Sequence, residues 1–341
     1  MEGGRVVATG ADAARLAAER VVELPGTLTP GLVDLQVNGG AGVSLQSPSP
    51  DMAALHRWLR AGGVLAYQPT LVSAPLSRMA GLAAVLGRIG ELDGVLALRP
   101  HLEGPFISSR RLGAHDAAAV SACDVDALRA VALAHAGMVT LAPERQGGLE
   151  LLRALAETGV VVSLGHSDAG FAEAEAAFGA GAGMVTHLFN AMPPLHHREP
   201  GLAGAALSGS HAPWVGLIAD GVHVAPSMCL LAARLLGERM VLVSDAVAPA
   251  GTGAAESRLD GGHLAGSTLR LDGCVRNLIA WGVDDSAAVH AATLAPARVC
   301  GLPSRGALHP GFDAVAVQWD DSWSVRAAGP VESLARAGVG R

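Results

Sequence analysis

The stretch that constrains this chain most covers residues 160–194, VVVSLGHSDAGFAEAEAAFGAGAGMVTHLFNAMPP, and reads strand, histidine, helix, strand, histidine. The β-branched run 160–164 stops at Gly165-His166-Ser167, Asp168 stands where a helix N-cap belongs, and a helical pattern continues to the glycines near 179–183. A second apolar run then meets His187. In a parallel βαβ unit successive strands lie side by side with their carboxyl ends on one rim, which brings His166 and His187 together. Either histidine alone reads better as a polar strand end bonded to backbone. As a pair they are what a zinc-like ion needs.

The same alternation extends on both sides. Eight strand-like runs, at 32–38, 64–71, 95–103, 138–144, 160–166, 184–187, 215–220 and 240–245, are separated by helical patterns at 51–61, 76–89, 124–136, 149–158, 169–179 and 227–236. Eight such units in about 250 residues match a (β/α)8 TIM-like barrel. The competing doubly wound sheet opens with a glycine-rich turn, and neither GxGxxG nor GxxxxGK[ST] follows the first run. Residues 287–300 read as a further helix. Short runs at 5–9 and 20–24 pair in this reading with 313–319 and 324–326, so 1–30 and 303–341 form a small β-sandwich-like module around a barrel of 31–302.

Composition removes several classes of function. A net charge of −7 without a basic run argues against nucleic acid and anionic membrane as partners. No apolar run reaches the roughly 18 residues of a membrane span, and the first residues lack a signal-peptide core, so a cytoplasmic protein is expected. Cys123, Cys229, Cys274 and Cys300 form no CxxC pair, which leaves them as buried small hydrophobes and not a thiolate site.

Polar residues gather at the ends of the eight runs: Gln36 and Asn38, Thr70, Glu103, Glu144, His166, His187, Asp220 with His223, and Asp245. Barrel enzymes keep their chemistry on that face. Glu103 joins His166 and His187 in a three-ligand set that leaves one coordination position open for water. Taken alone it reads equally well as an N-capping or salt-bridged carboxylate. Asp245 ends an apolar strand, where a charge without a role is costly, and it suits proton transfer to and from a reacting water. Its alternative role is to orient a histidine ligand.

Seven motifs in order, HLEGPF, GAHD, GHSDA, THLFNAMPPLHHREPG, ADGVHV, LVSDAVAPAG and LAGSTL, resemble the N-acetylglucosamine-6-phosphate deacetylases of the amidohydrolase superfamily. The resemblance covers about residues 30–310. It implies Glu103, His166 and His187 as metal ligands, Asp245 as catalytic acid/base, and hydrolytic deacetylation of a phosphorylated N-acetyl amino sugar by a metal-activated water. It further implies substrate contacts from Ala114, His115, Asn190, Ala191, Arg198, His223, Leu264, Ala265 and Gly266, with Arg198 reaching across a homodimer. Where most of the superfamily carries HxH, this chain has Gln36 and Asn38. Amide side chains are poor zinc ligands, so one divalent metal ion per chain is expected: zinc first, with iron or manganese admitted by the same donors. Gln36 then either bonds the reacting water or packs beneath it. His196, His197, His211, His263 and His309 read as surface or structural. Readings that compete with this one are an N-acetylgalactosamine-6-phosphate deacetylase, a cyclic-amide hydrolase, and a noncatalytic sugar-phosphate sensor.

Overall fold

The computed structural model describes every residue except 17–20, 122–123, 259–261, 263 and 338–341. Eight strands form a barrel: β1 Leu32–Val37, β2 Val64–Val72, β3 His101–Glu103, β4 Met138–Leu141, β5 Val161–Leu164, β6 Met184–Val185, β7 Trp214–Leu217 and β8 Met240–Leu242. Each pairs in parallel with the next. The ring closes just past β8, where Val37 bridges Ala246 and the N–H groups of Asn38 and Gly39 donate to the Ala246 carbonyl at 2.8 and 3.0 Å. Closure leaves no barrel strand with an open edge.

The helices fall between the strands as the periodicity implies, including Met52–Ala61, Leu76–Leu86, Val125–His135, Gly148–Ala156, Phe171–Gly179 and Pro226–Leu236. Gly201–Ser208 and Leu271–Trp281 were not evident in the sequence. The first is buried from Gly201 to Leu207, so it has no polar face to give a helical period. Three expectations are corrected. The run 95–103 is two strands, Val95–Ala97 and His101–Glu103, divided next to Pro100, which has no N–H for the ladder. Asp168 caps nothing: its carboxylate is taken by Arg110 and Arg111, and Gly170 is the N-cap, its N–H donating to Glu173. The helix read over 287–300 breaks at Thr293 into Asp285–Ala292 and Leu294–Val299.

Both ends of the chain meet in one antiparallel sheet of Thr27–Pro30, Val315–Trp319 and Val325–Pro330. The N-terminal strand is not at 5–9 or 20–24: Arg5 makes only isolated bridges, 21–24 is not strand, and residue 20 lies outside the described residues. Thr27–Pro30 starts just after Pro25-Gly26 and ends on the proline of Pro30-Gly31, which makes it read as turn. Trp319 anchors this sheet, fully buried, with its Nε1–H donating to Thr29 Oγ1 at 2.8 Å. Arg60, on the first of these helices, ties the sheet to the barrel by donating to the Ala328 carbonyl at 3.1 Å.

The barrel interior is graded along its axis. Val33, Leu35, Ala66, Met138, Met184 and Val241 pack with Ala295, Ala297 and Val299 in an apolar cluster toward the amino ends of the strands. Above it the layer turns polar and is linked by hydrogen bonds: His101 Nε2 meets Thr140 Oγ1 at 2.7 Å, Thr140 meets Thr186 at 2.7 Å, and Thr186 meets Ser163 at 2.6 Å. Burial pushes His101 down to about 4, so it is neutral there. Replacing Trp319 by alanine is expected to cost about 3–5 kcal/mol, read as a lower midpoint with unchanged slope in urea unfolding.

Candidate active site

Three strands end by turning into the left-handed region at non-glycine residues, with φ of 47° at His166, 30° at His187 and 50° at Asp245. Such backbone costs on the order of 1–3 kcal/mol per residue and persists where the surroundings over-determine it. Here it turns each side chain toward the barrel axis. Glu103 Oε1 lies 3.1 Å from His166 Nε2 and 2.9 Å from His187 Nε2, and the two imidazole nitrogens are 3.0 Å apart. All three residues are buried. His166 Nδ1 is 2.8 Å from the Arg111 carbonyl, so Nδ1 carries the hydrogen and Nε2 keeps its lone pair for the centre. One oxygen and two imidazole nitrogens meeting at a point repel unless a proton or cation lies among them. The set fits zinc, iron or manganese.

The neighbouring carboxylates are set apart by their surroundings. Burial by itself would raise Glu103, but the hydrogen bonds and charges of His166 and His187 outweigh it and hold Glu103 well below the ordinary range. Asp245 goes the other way, pushed up by burial and then by the charge of Glu103. Asn38 Nδ2 donates to Asp245 Oδ1 at 2.7 Å, and Gln36 Nε2 donates to Glu103 Oε1 at 3.1 Å. Both amides thus support carboxylates. Behind them, burial raises Asp34 to about 6, although Oδ1 accepts the N–H groups of Ser244 and Gln36.

His115 approaches from the loop after β3, its ring 4.3 Å from that of His166. A ring nitrogen of His115 comes within 4.8 Å of donor atoms of Glu103 and His166. Its Nδ1, however, accepts the Ser73 N–H at 3.1 Å, and burial pushes the ring down to about 3. Neutral His115 therefore carries its hydrogen on Nε2 and serves as a donor. His187 Nε2, by contrast, lies 2.9 Å from Glu103 Oε1 and 3.0 Å from His166 Nε2, so these three atoms could hold an ion together.

A cavity of about 500 Å³ opens above this centre. Ala114, His115, Asn190, Ala191, His223, Leu264, Ala265 and Gly266 line it together with Asn38, Glu103, His166, His187 and Asp245. Arg198 does not: it is exposed beyond the cavity, its guanidinium 2.8 Å from His197 Nε2. Glu144 serves the turn after β5, accepting from Ser167 Oγ and the Asp168 N–H. His196, His197, His211 and His309 are exposed, and His263 lies outside the described residues. Sequence reading missed Ser73, which ends a strand without any motif, and Arg111, which acts through its carbonyl and leaves no side-chain signal. It also missed Ser44 and Gln46, which line the cavity from the loop after β1.

Comparisons with known proteins agree on one family. The pattern of the amidohydrolase family matches residues 27–339. The N-acetylglucosamine-6-phosphate deacetylase of Bos taurus is 40% identical over 332 residues, 88% of this chain and 81% of its own length. The N-acetylgalactosamine-6-phosphate deacetylase of Escherichia coli O157:H7 is 38% identical, over 90% of this chain and 86% of its own. A mutant N-acetyl-D-glucosamine-6-phosphate deacetylase of Mycobacterium smegmatis, solved in complex with N-acetyl-D-glucosamine-6-phosphate, matches with a TM-score of 0.85 and 36% identity, over 95% of this chain and 91% of that one.

The raised carboxyl of Asp34 gives a pH prediction. Its folded-state value lies above its unfolded one, so its contribution to stability is full below about 4 and lost as pH rises through about 6. In chelator-treated protein, Asp34→Asn should gain on the parent between pH 4 and 7 by up to about 3 kcal/mol in urea unfolding.

Proposed function

The chain belongs to the amidohydrolase family, and we propose that within it the protein hydrolyses N-acetylglucosamine 6-phosphate to glucosamine 6-phosphate and acetate. The observation that carries this is the meeting of Glu103, His166 and His187 at one point of a cavity that Asp245 and His115 also face. In this reading residues 31–302 are the catalytic barrel and the two chain ends its β module.

Glu103, His166 and His187 would hold a divalent ion, which when bound would supply Lewis-acid polarisation of the amide and activation of a water at neutral pH. Asp245, steadied by Asn38, takes the proton of the attacking water and returns it to the departing amine nitrogen. His115, held by Ser73, presents Nε2–H to the carbonyl oxygen as negative charge develops there. Gln36 keeps the Glu103 oxygen oriented. Asn190, Ala191 and His223 stand on the side where the phosphate would lie, with 264–266 along the sugar. Arg198, turned away from its own cavity, suits a contact donated to a second copy, which supports a homodimer. The relative that acts on N-acetylgalactosamine 6-phosphate favours a second reading, in which the galacto epimer is the substrate.

The test is acetate release from both phosphorylated sugars and from unphosphorylated N-acetylglucosamine, with metal counted in the same sample. Turnover of a phosphorylated sugar with close to one metal per chain is expected, and absence of turnover with all three in metal-loaded protein overturns the proposal. Asp245→Asn should retain metal and lose about 10²–10⁴-fold in kcat, whereas His166→Ala should lose both metal and turnover.

A further inference from the structure

Ser267 sits where three parts of the cavity wall meet. Its hydroxyl donates to Asp220 Oδ2 at 2.9 Å, and the same oxygen is 2.7 Å from His223 Nδ1. Asp220 Oδ1 accepts the N–H groups of Val222 and His223 at 2.9 and 2.8 Å. Burial alone would raise Asp220, but the hydrogen bond and charge of His223 outweigh it and hold it below the ordinary range. The backbone of Ser267 reaches the other way. Its N–H donates to the Asp245 carbonyl at 2.9 Å and its carbonyl accepts the Val247 N–H at 3.2 Å. Gly266 permits this approach: at φ 88° a Cβ there would stand 2.5 Å from Val247 Cγ1 and 2.7 Å from the Asp245 oxygen. Ser267 itself is 2% exposed.

From this arrangement we infer that Ser267 is a positioning residue for anion recognition, acting through Asp220 to fix which nitrogen of His223 faces the cavity. An ionised carboxylate only accepts, so His223 Nδ1 carries a hydrogen and Nε2 is the nitrogen left for a ligand. Nε2 is thus the ring atom presented to a phosphoryl group, and a proton held between it and a phosphoryl oxygen joins the two in a charge-assisted hydrogen bond. Ser267 keeps the carboxylate from rotating off Nδ1. Because its backbone also pairs beside Asp245, the wall at 264–266 and the imidazole hold a constant distance from the reacting centre. The identity of the sugar rests on the deacetylase reading above, while the anion site is tested without it.

Metal-loaded protein, Ser267→Ala and Asp220→Asn would be titrated calorimetrically with inorganic phosphate and with glucosamine 6-phosphate, after melting curves and metal counts confirm folding. Affinity for both ligands should fall about threefold in Ser267→Ala and about tenfold in Asp220→Asn. With N-acetylglucosamine 6-phosphate, KM should rise by matching factors while kcat stays within about twofold, and unphosphorylated sugar should be unaffected. No anion binding by the parent, equal losses with both sugars, or a fall in kcat at constant KM overturns the inference. Graded loss of phosphate binding in a protein that releases no acetate would sink the deacetylase reading and leave this one standing.

Discussion

Two imidazole nitrogens and a carboxylate oxygen within 3.1 Å of one another repel unless something positive lies among them, and the upper half of this barrel is arranged around that constraint. The three groups come from the ends of three strands, so their distances follow from the inter-strand spacing of the sheet and from where each strand breaks. The left-handed turns at His166 and His187 make those breaks. Arg111 fixes the tautomer of one imidazole through its carbonyl, and Gln36 holds the carboxylate oxygen on the opposite side.

Closure of the barrel determines what faces this centre. The bridge between Val37 and Ala246 sets the end of the first strand beside the turn after the eighth, which puts Asn38 against Asp245. Asp245 thereby has a neutral donor on one oxygen and the charge of Glu103 nearby. Burial, and then the charge of Glu103, raise Asp245 despite that donor, while His166 and His187 lower Glu103, so the two carboxyls are set apart in opposite directions.

The interior is graded because a charged centre cannot rest on hydrocarbon without loss. Methionine and valine fill the amino end, the hydrogen-bonded chain from the His101 imidazole through the Thr140 and Thr186 hydroxyls to Ser163 lies above them, and the ionisable groups come last, next to the cavity. The ionisable groups thus rest on a polar layer and not directly on hydrocarbon. The same logic recurs in the wall, where Asp220 is fully engaged by donors before His223 is offered to a ligand.

Much of this was legible in the chain itself. Alternating apolar runs placed all eight strands, and polar residues at their ends named Glu103, His166, His187 and Asp245, because a side chain that interrupts an apolar strand carries a local signal. Motif resemblance added the pocket residues and the family. The chain could not say that Gln36 would bond Glu103, that Ser73 would choose the tautomer of His115, that Asp168 would pair with Arg110 and Arg111 instead of capping a helix, or that Arg198 would lie outside its own cavity. Those facts depend on which distant segments meet, and nothing local encodes a partner 67 or 42 residues away. The sequence by itself determined the residue types and the strand ends that carry them, since hydrophobic period and turn chemistry are short-range. Only the tertiary structure decided protonation, orientation and reach, since these depend on burial and on neighbours brought close when the ring of strands closes.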